Sequence, residues 1–154
     1  MASRVAFRFD AAFSRAATVR LAALARQAPE AFGAALYQEA NSVLADAIPI
    51  TPVEFGALRR SGHVAPPVLA GPRVSVTLGF GGAAAPYAVY VHETPPPSGG
   101  HWAGPHYKGA LMIPTRTARH APPTQWKFLE TPLKEHLRGM ARRLAATVRE
   151  GLAL

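Results

Sequence analysis

The chain has 154 residues, 49% of them hydrophobic, and a formal net charge of +8 from 17 Lys and Arg against nine Asp and Glu. That length suits a single domain, 1–154, and buries roughly 70% of the unfolded surface, which excludes a wholly disordered chain. The absence of cysteine excludes disulfides, thiolate zinc sites and a cysteine nucleophile together, and no apolar run approaches the ~20 residues of a membrane span.

In chain order, residues 1–9 lack the unbroken apolar core of a secretion signal and read as a flexible N-terminal arm. Asp10 is placed to cap a helix beginning at Ala11, in which Phe13, Ala17, Leu21, Leu24 and Ala28 recur on one face. Pro29 pushes residue 28 out of helical geometry and suits the first position of a second helix, 29–47. One kinked helix is the alternative. In the second segment Phe32, Leu36, Ala40, Val43 or Leu44, and Ala47 make the apolar stripe, and Glu30 in the first turn suits the helix dipole. Pro49 and Pro52 end the helical run.

The stretch T-P-V-E-F-G-A-L-R-R-S-G, 51–62, reads as a short turn capped by Thr51, with Gly56 as its left-handed exit and extended chain from Leu58 to Val64. Arg73–Phe80 alternates: Val74, Val76, Leu78 and Phe80 face one way, and Arg73, Ser75, Thr77 and Gly79 the other, which predicts a strand. Tyr87–Glu93 is short and apolar, and period alone does not separate helix from strand. Residues 94–107 carry four prolines and three glycines and are expected as an extended loop, with Trp102 and Tyr107 suited to docking. A strand over 108–114 leads into a basic loop with Arg116, Arg119 and His120. The last helix begins at Gln125 or at the Thr131–Pro132 cap. Leu133, Leu137, Met140, Leu144, Val148 and Leu152 form its stripe, and Lys134, Arg138, Arg142, Arg143 and Arg149 coat its other sides. The order predicts α+β: N-terminal helices, a small antiparallel sheet with long loops, and a long C-terminal helix packed on the sheet.

Catalytic signatures are weak. His92, Glu93, His101 and His106 cluster in sequence, but His92–Glu93 is not followed by a second His at metalloprotease spacing, and no helix presets the pair at 101 and 106. No serine sits in a nucleophile elbow. Gly79-Phe-Gly-Gly82 follows a strand but lacks the P-loop lysine and the GxGxxG spacing, so a hairpin turn is the simpler reading. The reading is a non-enzyme with no metal and no cofactor. Fourteen of the 17 basic residues are arginine, a side chain suited to phosphate, so a basic nucleic-acid-binding module is the alternative reading.

Three segments in order carry a resemblance. Ala47-Ile-Pro-Ile-Thr51-Pro-Val is followed by Gly56-Ala-Leu-Arg59-Arg-Ser61. Next comes Tyr87-Ala-Val-Tyr90-Val-His-Glu93, and last Lys127-Phe-Leu-Glu130-Thr-Pro-Leu133. This resembles the tail-completion and head–tail joining minor capsid proteins of tailed bacteriophages and phage-like particles, over about residues 30–150. Phe55 stands where that family usually has Thr. The resemblance implies a structural virion subunit at the neck or tail end, assembled in the host cytoplasm. It implies a ring, typically of six copies, that meets head-closure or connector proteins on one side and tail-tube or terminator proteins on the other, with transient contact to packaged DNA and none to a membrane. On that reading Arg59, Arg60, Trp102, Tyr107, Arg116, Arg119, Arg138, Arg142 and Arg143 are the expected subunit or DNA-channel contacts.

Overall fold

The longest element is built on a helical stripe. Phe32, Ala35, Leu36, Ala40, Val43 and Ala47 are buried at spacings of three and four along α2, Pro29–Ile50. In this computed structural model, which describes residues 4–8, 15–53, 56–71, 73–95, 101–102, 105–108, 111–114, 118–119 and 124–152, α2 is preceded by β1, Arg4–Arg8, and α1, Arg15–Gln27. The proposed Asp10 cap and the first turn at 11–14 lie outside the described residues. Two separate helices form on either side of Ala28, as Pro29 requires, with the proline in the first turn of α2. The helix runs on through Pro49 to Ile50, further than expected.

Beyond α2 come α3, Ala57–Arg60, and the strands β2, His63–Val64, β3, Val68–Ala70, β4, Arg73–Ser75, and β5, Thr77–Gly81. The α+β class holds, with details that local pattern did not supply. Leu58–Arg60, expected as extended chain, is helical, and Gly56, with φ +76°, precedes that helix instead of closing a turn. The alternating run at 73–80 is two strands, not one. β4 pairs antiparallel with β3, while β5 lies between β1 and β2 in a three-stranded antiparallel sheet. The chain changes partner at Val76, which is fully buried together with Leu78 and Phe80. Arg4–Arg8, expected as part of a flexible arm, lies in register along β5 from Arg4 opposite Gly81 to Arg8 opposite Thr77.

Residues 88–93 resolve the helix-or-strand ambiguity as α4, Ala88–Glu93, which packs on β1 and β5. The segment expected as a loop over 94–107 contains β6, His101–Trp102, and β7, Pro105–Lys108. β7 forms a hairpin with β8, Leu111–Pro114, and β6 pairs with β9, Ala118–Arg119.

The expected long C-terminal helix is two helices: α5, Glu130–Leu137, and α6, Met140–Gly151. The chain breaks at Gly139, whose φ of +78° is a left-handed conformation that suits a residue without Cβ. Both helices pack on α2, and α6 also packs on α1. The strands β2 to β5 meet α2 from their own side. Among the described residues the main contacts of the C-terminal helices are therefore with α2 and α1. The reason is their stripe: Met140, Leu144 and Val148 are buried in one core with Phe32, Leu36 and Val43 of α2. Phe128 closes the centre, edge-on to Phe80 with ring centroids 5.2 Å apart. Burial of each such side chain contributes about 1.5–3 kcal/mol.

Candidate functional site

The 51–62 stretch is an internal corner. Arg59 reaches back from α3 and donates from Nη2 to the carbonyl oxygens of Pro49 and Thr51, both at 3.0 Å. These are carbonyls at the C-terminal end of α2, where a helix leaves acceptors unsatisfied and carries partial negative charge. The Thr51 hydroxyl donates to the Ala47 carbonyl at 2.8 Å, so Thr51 finishes α2 and does not cap a new turn. Ser61 locks the other side: its hydroxyl donates to Leu58 O at 2.6 Å and accepts from the Gly81 N–H at 2.8 Å, which ties the corner to β5. The guanidinium of Arg60 lies over Gly56, where an added Cβ would stand 2.7 Å from its Nη1.

A second polar cluster binds three helices. Glu39 is buried on the polar edge of the α2 stripe. Arg143 of α6 donates from Nε to both Glu39 oxygens at 3.1 Å, and from Nη2 to Oε1. The same guanidinium donates to the carbonyls of His136 at 2.6 Å and Arg138 at 3.1 Å, which satisfies the end of α5. His136 stands between Glu39, 3.2 Å from Nδ1, and Asp46, 2.8 Å from Nε2. Burial pushes the Glu39 carboxyl up, but the hydrogen bonds from Arg143 and His136 outweigh it and hold the group below its ordinary range.

A third cluster joins α4 to the start of α5. His92 is buried edge-on to Phe128, with centroids 5.0 Å apart, and its Nδ1 lies 2.8 Å from Glu93 Oε1. Burial lowers its proton affinity, and Glu93 opposes that only in part. Lys127 bridges Glu93 and Glu130, its backbone N–H donates to His92 O at 3.1 Å, and its φ of +55° is unusual for a non-glycine residue. Lys134 also pairs with Glu130, and the two lysines hold that carboxyl down to about 2. Among the described residues no group of three or more His, Cys, Asp or Glu is placed to hold a metal ion.

The nine expected contact residues therefore separate. Arg59 and Arg143, expected at a subunit or channel contact, are engaged within the chain because backbone carbonyls and a buried carboxylate lie within reach. Arg60 is exposed at the end of α3, and Arg138 and Arg142 are exposed at and beyond the α5–α6 break. Trp102, Tyr107 and Arg119 lie on β6, β7 and β9, with their side chains outside the described set, and Arg116 lies outside the described residues. Outside the expected contacts, Arg15, Arg20 and Arg26 are all exposed on α1; the spacing of Arg15 and Arg26 off the apolar stripe already marks them as outward in the sequence.

Apolar groups also remain outside the core. Val68 and Leu69 on β3 are 58% and 45% exposed, and Val89, Tyr90 and Trp126 are exposed on α4 and before α5. No protein-family model, no curated protein and no solved structure matches this chain.

Proposed function

We propose that the protein is a structural subunit of a tailed phage or phage-like particle, working at the head–tail junction as part of a neck, tail-completion or terminator ring. The motif order over residues 30–150 supports that reading, and one observation carries it. β3 is exposed at all three positions, is apolar throughout as Val68-Leu69-Ala70, and has only β4 as a partner among the described strands. An exposed apolar edge strand is a liability in a solitary protein and an asset in a subunit that pairs with a neighbour. A head-to-tail contact through such an edge closes into a ring when its rotation divides the circle. The three polar clusters serve this role by making each subunit stiff: they fix helix ends and pin α2, α5 and α6 together.

The test is assembly. Sedimentation and negative-stain imaging of the purified chain, alone and with particles that lack it, are expected to give closed rings or incorporation. Val68→Lys is expected to abolish both while leaving the circular dichroism unchanged. A protein that stays monomeric at high concentration and fails to join deficient particles defeats the reading.

A further inference from the structure

α1 and α6 pack side by side and each exposes arginines, and we infer that these side chains together bind the phosphate backbone of duplex DNA without reading its sequence. This goes beyond the assembly reading and does not depend on it. α1, α2 and α6 pack on one another, the strands β2 to β5 meet α2, and α1 also touches β4. Arg15, Arg20 and Arg26 project from α1, Arg142 and Arg149 from α6, and Arg138 from the turn before it, all six exposed. Among the described residues none of these side chains is paired with a carboxylate, in contrast to Arg143 beside them.

Composition sharpens the choice of partner. α1, R-A-A-T-V-R-L-A-A-L-A-R-Q, has three arginines and no acid, and α6, M-A-R-R-L-A-A-T-V-R-E-G, has three arginines and one glutamate. Neither helix contains an aromatic residue. A protein interface is anchored by buried aromatic or large apolar groups, and a single-strand groove stacks bases on aromatic rings. Among the described side chains of these helices the exposed large apolar groups are Val19 and, at the end of α6, Leu152. The exposed Ala16, Ala23 and Ala146 stand between the guanidinium groups, so a rod of phosphates can approach closely. Arg142 and Arg149 are seven residues apart on one side of α6, about 10 Å along its axis. The two helices extend about 18–20 Å, long enough to follow several phosphates. Guanidinium groups that hold phosphates position a protein on DNA but carry no base information.

The experiment is fluorescence anisotropy of the full-length protein with a mixed-sequence duplex of about 30 base pairs, three helical turns, across a salt series. With six phosphates neutralised the log–log slope is about −5, and affinity falls about a thousandfold between about 50 and 200 mM salt. Arg142→Gln with Arg149→Gln is expected to reduce the slope by about 2, and Arg15→Gln with Arg26→Gln by a similar amount. The Lys replacements at the same sites retain it. Thermal melts of each variant establish that it is folded. The inference is overturned if the wild-type protein leaves the duplex free at about 50 mM salt, if the folded Gln variants keep the full slope, or if a single strand binds as tightly as the duplex. Binding of polyglutamate in place of DNA would make this surface a protein dock and also overturn it.

Discussion

The corner at residues 48–62 and the pair of helices α1 and α6 are both arginine-rich, yet they use the residue in opposite ways. In the corner Arg59 is drawn inward by two carbonyls at the end of α2. On α6 the neighbours Arg142 and Arg143 diverge: Arg143 is held by Glu39 and the end of α5, while Arg142 is left in solvent. An arginine stays exposed here where the chain's own orphan acceptors are out of its reach. Inward arginines hold the fold, and outward ones set the electrostatic field.

Substitutions at the two kinds of site break or sharpen that contrast. The largest effect is expected at Arg143→Met, which strands the Glu39 carboxylate and frees the end of α5. Breaking such a pair, with one partner half-exposed, costs about 2–3 kcal/mol in urea unfolding. Adding Glu39→Leu is expected to recover part of it, and full additivity of the two changes would contradict a coupled pair. Gly62→Ala comes next. A Cβ there would stand 2.8 Å from Phe80 Cε1 and 2.9 Å from Leu44 Cδ1, and overpacking of that kind costs about 1–3 kcal/mol, readable as a lower melting temperature. Arg59→Ala removes the cap on α2 and is expected to cost about 1–2 kcal/mol, with Arg59→Lys intermediate; an unchanged chemical midpoint would show the cap to be idle.

Acid titration probes the α4–α5 staple. The Glu130 carboxyl is held at about 2, below its ordinary 4.5, by Lys134 first and Lys127 second. As pH falls the unfolded chain takes up this proton before the folded one does. The contribution is therefore complete above about pH 4.5 and is lost as pH falls toward 2. Lys134→Met is expected to flatten that acid dependence, and an unaltered acid midpoint would refute the assignment. Smallest is Arg142→Gln, expected to shift stability by under about 0.5 kcal/mol; its effect belongs to the salt slope of DNA binding instead.

Much of the fold was legible in single segments. The stripe Phe32–Ala47, the proline that begins α2, the apolar alternation at Val74–Phe80 and the stripe of Leu133, Met140, Leu144 and Val148 are local signals of a face that water disfavours, whereas Leu137 and Leu152, expected on that last stripe, are exposed. Less was legible where two local patterns are equally satisfied. Leu58 is buried within α3, but a lone apolar residue there suits a helix or a strand equally, and residues 88–93 fit either period. Val76 continues the alternation of its run, so nothing in the pattern announces the change of partner there. Of the candidate site, the outward Arg60, Arg138 and Arg142 were readable as basic surface, whereas the roles of Arg59 and Arg143 were not.

Which positions must leave water, where proline and glycine interrupt the helices, and the excess of arginine are all written in the order of the residues. Those are properties of neighbouring residues and of composition. Only the tertiary structure decided which arginines are spent: Arg143 meets Glu39 across 104 residues of chain, and a hydrogen-bonding partner at that separation leaves no periodic trace. It also decided that the C-terminal helices rest on α2, because apolar stripes specify that a face is buried but not which other face buries it.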